Sequence, residues 1–342
     1  MSGAATLDTE AVARWMAAHV PGFAGPLTAE KFDSGQSNPT FLLTAASGRY
    51  VLRRKPPGQL LKSAHAVDRE FRVQKALAGT DVPVAGMIAL CEDERVTGSV
   101  FYVMEHVAGR NFWDPRLPEL SRADRARVFD EMNRVLAAIH SVDLDATGLS
   151  GFGPEGNYYR RQIDRWTKQY RATETERIGA MEELMTWLHD TQPEDDGRRT
   201  LVHGDFRLDN LLFAPDRAEC VAVLDWELST LGHPFADLAA TVMQWRMPTG
   251  PEGRGLAGVD RAALGLPSDA AFVDAYCARM GLPRIDRFNF YLAFAFFRMA
   301  AILQGVKKRA LDGNASNPEK GLAMGALVPR FAEQGLEAAR DG

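Results

Sequence analysis

The sequence predicts an α+β protein with a small antiparallel-sheet lobe (residues 1–104), a short connector (105–109) and a large, mainly helical lobe (110–342). Three observations carry that reading. Two short β-type runs, Phe41-Leu42-Leu43 and Tyr50-Val51-Leu52, flank Ala46-Ser47-Gly48, the pattern of a hairpin and its turn. Beyond Gly109 the apolar residues take up helical spacing, most clearly over Arg122–His140, where Val128, Met132, Val135, Leu136 and Ile139 recur on one face. Two further strand candidates, Leu211-Leu212-Phe213 and Val221-Ala222-Val223-Leu224, interrupt the helices that follow.

The elements follow in order. Leu7–Val20 has helical spacing through Val12, Trp15, Met16 and Val20, with Asp8 or Thr9 placed to cap it. A loop of small and polar residues, Asp33 to Asn38, precedes the hairpin, and Pro56-Pro57-Gly58 ends its second strand. Ser63–Ala78 resumes the helical pattern through Val67, Phe71, Val73 and Leu77; Val82–Ala89 and Val100–Met104 read as strands. After Arg122–His140 come helices over Tyr158–Thr173, Arg177–Leu188, Ala270–Met280 and Phe288–Leu311, then a polar tail from Asp312. A sheet-rich small lobe and a helical large one predict a cleft between them.

Composition narrows the function classes. Of 342 residues, 46% are hydrophobic, enough for two lobes with their own cores. The net charge of −5 lacks the basic excess of a nucleic-acid binder. Cys91, Cys220 and Cys277 stand far apart, so reduced thiols are expected rather than a disulfide framework or a zinc site. Met1–Glu10 lacks the pattern of a signal peptide. The apolar stretch Tyr291–Val306 carries Arg298 and Gln304, so a buried helix in a cytoplasmic protein is expected, with no membrane partner. The oligomeric state stays open, a homodimer included.

The chemistry concentrates in Leu201–Phe213. Phosphoryl transfer needs a carboxylate near the attacking hydroxyl and oxygen ligands for Mg²⁺. The protein-kinase catalytic loop meets that need with an Asp followed five positions later by an Asn, and Asp205 and Asn210 have this spacing. The apolar run Val221–Leu224 then delivers Asp225, where kinases place a second metal ligand. Taken singly, the first segment could be a surface turn and Asp225 a strand-ending aspartate; their order and spacing together argue against both.

His203-Gly204-Asp205 with Asn210, then Asp225, Gly232-His233-Pro234 and Asp237-Leu238-Ala239, resemble the aminoglycoside phosphotransferase and choline kinase superfamily. More narrowly, Ser34–Asn38, Val51–Gly58, Arg69–Val73 and Phe297–Val306 resemble a branch related to the kinase domains attached to some acyl-CoA dehydrogenases. The resemblance covers about residues 30 to 310. It implies the bilobal protein-kinase-like fold and an ATP- and Mg²⁺-dependent enzyme that phosphorylates a small-molecule hydroxyl. It makes Asp205 the catalytic base, Asn210 and Asp225 the Mg²⁺ ligands, and His203 and Asp237 supports of the loop. Ser34, Gly35, Gln36, Ser37 and Asn38 would cover the ATP phosphates with backbone N–H groups. Glu105 and Val107, within Met104–Val107, would receive the adenine.

The departures from protein kinases are informative. Gly204 stands where protein kinases carry an Arg that can pair with a phosphorylated activation loop, which argues against that regulation. Trp226-Glu227 replaces Phe-Gly, and no Ala-Pro-Glu segment follows, favouring a small acceptor. The phosphate-binding Lys is missing at its register. Alternation along Tyr50–Arg53 puts Arg53 there instead, able to pair with phosphates and with Glu70; Arg54 and Lys55 take its place if the register slips, and a surface basic run is the other reading.

For the acceptor, Tyr159, Arg161, Arg165, Trp166 and Arg298 are aromatic or basic. Helical spacing puts Tyr158, Arg161, Arg165 and Lys168 on one face, suited to an anionic or acyl-bearing acceptor such as a hydroxyacyl-CoA or hydroxy acid. An amphipathic helix with exposed Arg and buried Trp fits the same pattern. The acidic residues Glu182, Glu183, Asp190 and Glu194–Asp196 look like solvated surface rather than a polycation pocket. An aminoglycoside O-phosphotransferase is the alternative, as is a non-catalytic nucleotide-binding pseudokinase, supported by the missing Lys.

Overall fold

A computed structural model describes residues 7–32, 38–56, 66–250, 254–315 and 317–341. The first elements are α1 (Thr9–His19), β1 (Thr28–Lys31), β2 (Thr40–Ala45), β3 (Gly48–Arg54), α2 (Val67–Leu77), β4 (Met87–Cys91) and β5 (Phe101–Glu105). The middle of the chain adds α3 (Arg122–His140), α4 (Tyr158–Thr173), α5 (Gly179–Asp190), β6 (Thr200–Val202), β7 (Leu211–Phe213), β8 (Cys220–Val223) and β9 (Thr230–Gly232). It closes with α6 (Phe235–Trp245), α7 (Arg261–Leu264), α8 (Asp269–Arg279), α9 (Phe288–Leu311), α10 (Pro318–Gly325) and α11 (Val328–Arg340).

These elements form two compact units, neither continuous in sequence: residues 1–112, 142–150 and 208–229, and residues 113–141, 151–207 and 230–342. A single cut at the connector 105–109, expected from sequence, does not describe this division. Main-chain hydrogen bonds explain why: Arg110 and Phe213 exchange N–H···O=C bonds of 2.8 and 2.9 Å, and the Val223 N–H bonds the Pro83 carbonyl at 2.8 Å. They hold the β7–β8 hairpin to the N-terminal unit.

In the first unit β1 to β5 form a five-stranded antiparallel sheet in the order β1-β2-β3-β5-β4, and β7 and β8 pair separately as an antiparallel hairpin. The expected hairpin is there, with Ala45 opposite Gly48 across the turn. The Asp8 carboxylate caps α1 by accepting the Ala11 N–H at 2.9 Å. That helix buries Val12 and Met16 among Phe41, Leu43, Leu52, Phe101 and Val103. On the opposite face of β5, Tyr102 packs with Val67 and Phe71 of α2, because side chains alternate along a strand. The polar β1 carries no alternation and was not expected. The run Val82–Ala89 yields a strand from Met87, since Pro83 has no N–H to give a ladder.

The second unit is built around α9, whose bounds match the expected Phe288–Leu311. Its length and apolarity would suffice to cross a membrane, but 72% of its most apolar window is buried within the protein. Gln304, buried in its C-terminal third, donates to the Thr173 carbonyl at 2.6 Å. The expected polar tail is a correction: α10 and α11 follow, with Asn317 capping the first. Val328, Phe331, Ala332 and Leu336 bury one face of α11, an amphipathic stripe diluted by the charged residues between them.

Candidate active site

In the first unit β3 and α2 bring Arg53 and Glu70 together, as alternation predicts. Arg53 Nε lies 2.8 Å from Glu70 Oε2, and its Nη2 donates to Glu70 Oε1 at 3.2 Å. The same Nη2 donates to Asp225 Oδ1 at 2.6 Å and lies 4.0 Å from Glu227 Oε2. Arg54 instead buries its side chain beside Phe41 and donates to the Thr97 carbonyl, and Lys55 pairs with Asp68. Of the three basic residues, Arg53 is the one that reaches Glu70.

Glu70 is 1% exposed, so its charge survives only if fully hydrogen-bonded. The Tyr102 hydroxyl donates to Oε2 at 3.0 Å, and Asn38 Nδ2 donates to Oε1 at 3.2 Å. Burial pushes the Glu70 carboxyl above its ordinary range, with the Arg53 guanidinium pulling the other way. Burial likewise disfavours the Arg53 charge, but Glu70, Tyr102 and Asp225 more than offset it and raise its pKa. With Arg53 Nη2 and two neutral donors hydrogen-bonded to Glu70, and Arg53 Nε within ion-pair distance of it, the ionised pair is the state this geometry holds.

Asp225 sits in a left-handed conformation (φ 63°, ψ 58°), uncommon for a residue with a Cβ. Trp226 fixes it there: its buried indole N–H donates to the Val223 carbonyl at 2.9 Å, while Ser229 Oγ bonds the Trp226 carbonyl at 2.6 Å. Asn210, buried, closes the hairpin by accepting the Leu224 N–H at 2.8 Å. Glu227, missed from sequence, accepts from Asn38 Nδ2 at 3.3 Å. Its signal was a second carboxylate two positions after Asp225. Glu70, Asp225 and Glu227 present oxygens within 4.8 Å of one another, a hard-oxygen set that fits Mg²⁺. Asn38 is thus a bridge between two carboxylates; Ser34, Gly35, Gln36 and Ser37 lie outside the described residues. Glu105 ends β5 with its N–H bonded to the Gly86 carbonyl at 2.9 Å, and Val107 is half-buried on the connector.

In the second unit β6 leads into the loop carrying Asp205. Gly204 has φ 86°, a conformation that a side chain would strain, so glycine here answers a backbone need. The loop is suspended from Asp237, which is 1% exposed on α6 and accepts the N–H groups of His203 (2.6 Å) and Gly204 (2.8 Å). His140 Nε2 lies 3.4 Å from Asp237 and Nδ1 lies 2.7 Å from the Tyr276 hydroxyl. A carboxylate only accepts, so Nε2 is the protonated nitrogen. Burial opposes the Asp237 charge, yet the His140 ring, His203 and the Gly204 N–H hold its pKa below the ordinary value. The Asp205 N–H donates to His203 Nδ1 at 3.3 Å, and the half-buried Asp205 carboxylate has Arg207 Nε at 3.4 Å.

The expected acceptor residues separate. Trp166 is buried with Arg298 and exposed Arg165 over its ring, at 5.8 and 5.3 Å. Arg298 also donates to the Gly204 carbonyl at 3.1 Å, which ties it to the loop that carries Asp205. Tyr159 is buried among Phe290, Tyr291 and Phe294, and Arg161 donates to the Gly156 carbonyl. Tyr158, Tyr159, Ile163, Trp166 and Tyr170 face inward from α4, so it is an amphipathic helix with Arg165 and Lys168 in solvent. The four residues read as one face are therefore divided between interior and surface.

His233, at the end of β9, was quoted in the sequence only as part of a motif. Burial pushes it down to about 4, against the pull of Asp196, whose carboxylate lies 3.4 Å from Nε2. It is neutral at pH 7. The unfolded chain takes up this proton near pH 6.5 and the folded one only near 4, so stability falls as pH drops through that window. The expected loss is up to roughly 3 kcal/mol by pH 4. Urea unfolding at stepped pH should show this slope, and His233→Gln should flatten it; equal slopes in both proteins would exclude His233 as the source.

An antiparallel sheet unit holding Arg53, Glu70 and Asp225, and a helical unit whose Asp205 loop hangs from a buried aspartate, define a phosphotransferase of kinase-like fold. Residues 28–289 match the phosphotransferase enzyme family, and the chain belongs to that family. It is 52% identical to a putative aminoglycoside phosphotransferase from Ralstonia eutropha of known crystal structure, with a TM-score of 0.90 over 98% of this chain and 99% of that one. It is 53% identical over 294 residues to mouse acyl-CoA dehydrogenase family member 10, covering 86% of this chain but 27% of that protein. The chain thus spans less than a third of that relative's length. At 18% identity, aminoglycoside phosphotransferase APH(4)-Ia in ternary complex with AMP-PNP and hygromycin B shares the fold, with a TM-score of 0.62 over 92% of this chain and 95% of that one.

Proposed function

We propose that this protein transfers the γ-phosphoryl group of ATP, with Mg²⁺, to the hydroxyl of a small hydroxyacyl-CoA or hydroxy acid. The observation that carries the reading is the Arg53 fork shared by Glu70 and Asp225. It sets one permanent positive charge beside a carboxylate held in a special backbone conformation, as phosphate binding beside a metal ligand requires. The AMP-PNP held by APH(4)-Ia supports a nucleotide as donor. The name of the mouse relative supports an acyl-CoA-linked acceptor.

Asp205 accepts the proton of the acceptor hydroxyl as its oxygen bonds to the γ-phosphorus; the bond to the β–γ bridging oxygen breaks, leaving ADP and a phosphate ester. Arg53 binds and orients phosphate oxygens, while Glu70 keeps its fork aligned. Asn210 and Asp225 would hold Mg²⁺, which supplies charge neutralisation at the phosphates. Asp237 and Arg298 hold the loop so that Asp205 stays in place.

The test is ATP consumption measured against hydroxyacyl-CoAs, hydroxy acids, aminoglycosides, choline and sugars. Turnover confined to the first two classes is expected. Kanamycin turnover without hydroxyacyl turnover would overturn the acceptor assignment, and Mg-ATP binding with no turnover of any class would favour the pseudokinase reading.

A further inference from the structure

Register places Arg53 directly opposite Tyr102 across β3 and β5, on the face of the sheet that α2 covers. The strand around it is fixed. Leu52 lies in the core beneath α1, and Arg54 is tied to the Thr97 carbonyl. The Arg53 side chain itself is 13% exposed. A long side chain on a fixed strand can change partners without moving the fold.

Its present partners are carboxylates. A carboxylate has about four lone-pair positions, and those of Glu70 are all met. Oε1 accepts from Arg53 Nη2 and from Asn38 Nδ2, each at 3.2 Å. Oε2 accepts from the Tyr102 hydroxyl at 3.0 Å and has Arg53 Nε at 2.8 Å. Arg53 Nη2 also holds Asp225 Oδ1 at 2.6 Å, and Glu227 Oε2 stands 4.0 Å from the same nitrogen. One guanidinium therefore faces all three carboxylates whose oxygens come within 4.8 Å of one another. Trp226 and Ser229 fix the left-handed backbone at Asp225, so the arginine is the partner placed to change.

A guanidinium and a divalent cation compete for the same oxygens, and they repel each other across a few ångströms. Mg²⁺ also gives up its hydration water reluctantly and usually takes phosphate oxygens beside a carboxylate or two. Phosphates match the Arg53 fork and bring the negative charge that both cations need. We propose that Arg53 is the resident counter-ion of the Glu70, Asp225 and Glu227 cluster: it keeps a free divalent cation out and releases Asp225 when nucleotide phosphates take its fork. Metal and nucleotide then bind cooperatively, and Arg53 carries the coupling. The nucleotide half of this inference rests on the phosphotransferase reading; the exclusion of free metal does not.

Mn²⁺ alone, a paramagnetic ion that also suits oxygen ligands, tests it on the full chain without nucleotide. Titration followed by the resonance of the free ion should give Arg53→Gln an affinity about tenfold or more above wild type. Asp225→Asn in the Arg53→Gln background should remove that gain, which places the ion on the cluster. Arg53→Lys keeps a charge on the strand and should restore exclusion. ADP titrated without metal should move the other way, weakening about tenfold or more in Arg53→Gln. A damaged protein would lose both affinities, whereas the proposal requires one gain and one loss. Should Arg53→Gln fail to fold because Glu70 is left buried without its counter-ion, the double variant Arg53→Gln with Glu70→Gln removes both charges. It should still bind Mn²⁺ more tightly than wild type, through Asp225 and Glu227. Equal Mn²⁺ affinity in wild type and the folded variant overturns the proposal, as does a gain that survives Asp225→Asn. The Mn²⁺ titrations contain no nucleotide, so their failure leaves the phosphotransferase reading standing. Unchanged ADP affinity in Arg53→Gln would instead overturn Arg53 as the phosphate ligand.

Discussion

Asp205→Asn is expected to lower turnover by ~10²- to 10⁴-fold while the protein still folds and binds Mg-ATP. Asn has the shape of Asp but cannot take up the acceptor proton. The main-chain bond from the Asp205 N–H to His203 Nδ1 does not involve the side chain, so the loop should keep its course. One partner affected is Arg207 at 3.4 Å, in a pair half open to solvent that contributes little to stability. Thermal shift with Mg-ATP checks binding, and ATP consumption with the acceptor checks chemistry. Turnover equal to wild type would sink the assignment of Asp205 as base.

Asp237→Ala is expected to have the largest effect on stability, roughly 3–5 kcal/mol. The substitution strips the acceptor from two main-chain N–H groups and a histidine ring at a position 1% exposed. Water cannot replace it without opening the junction of α6, α3 and the catalytic loop. Asp237→Asn keeps the shape and one acceptor oxygen, so a smaller loss is expected, since its NH₂ must face a donor. Chemical denaturation measures both. Turnover of Asp237→Asn at a temperature where it is folded should also fall, because the suspended His203-Gly204 segment positions Asp205. A variant as stable as wild type would show that the loop is held from elsewhere.

The legible parts share a property: their signal is local. The bounds of α3, α4 and α9 follow from apolar spacing over four or more turns, with Ser121 and Asn157 capping the first two. The hairpin of β2 and β3 follows from alternation and its turn, and that alternation singled out Arg53. Asp205, Asn210 and Asp225 stand out as candidates because polar residues at fixed spacing lie between apolar runs that anchor them. Among the elements missed, β1, β6, β9 and α7 have too few residues for a period, whereas α6 is buried nearly all round and so lacks the polar face that reveals a period. Two helices after Asp312 went unread because their apolar residues are small or widely spaced.

The carboxylate network shows the limit from the other side. Arg53 with Glu70 was an expectation from register, but its partners Asn38, Tyr102, Asp225 and Glu227 come from separate segments. The expected acceptor residues are divided between interior and surface for a related reason. Spacing on α4 says which residues share a face, not which face turns inward, and α4 turned its aromatic side inward.

By itself, the sequence determined the α+β class and the long helices, and it supplied the spacing that marks Asp205, Asn210 and Asp225 as candidates, since each depends on residues close together along the chain. Tertiary structure alone decided that Asp225 adopts a left-handed backbone, that Asp237 suspends the Asp205 loop, and that arginines from α4 and the segment before β6 line one cavity. Those outcomes depend on burial. Desolvation makes each polar group seek a partner wherever the fold supplies one, and no spacing in the chain encodes that distance.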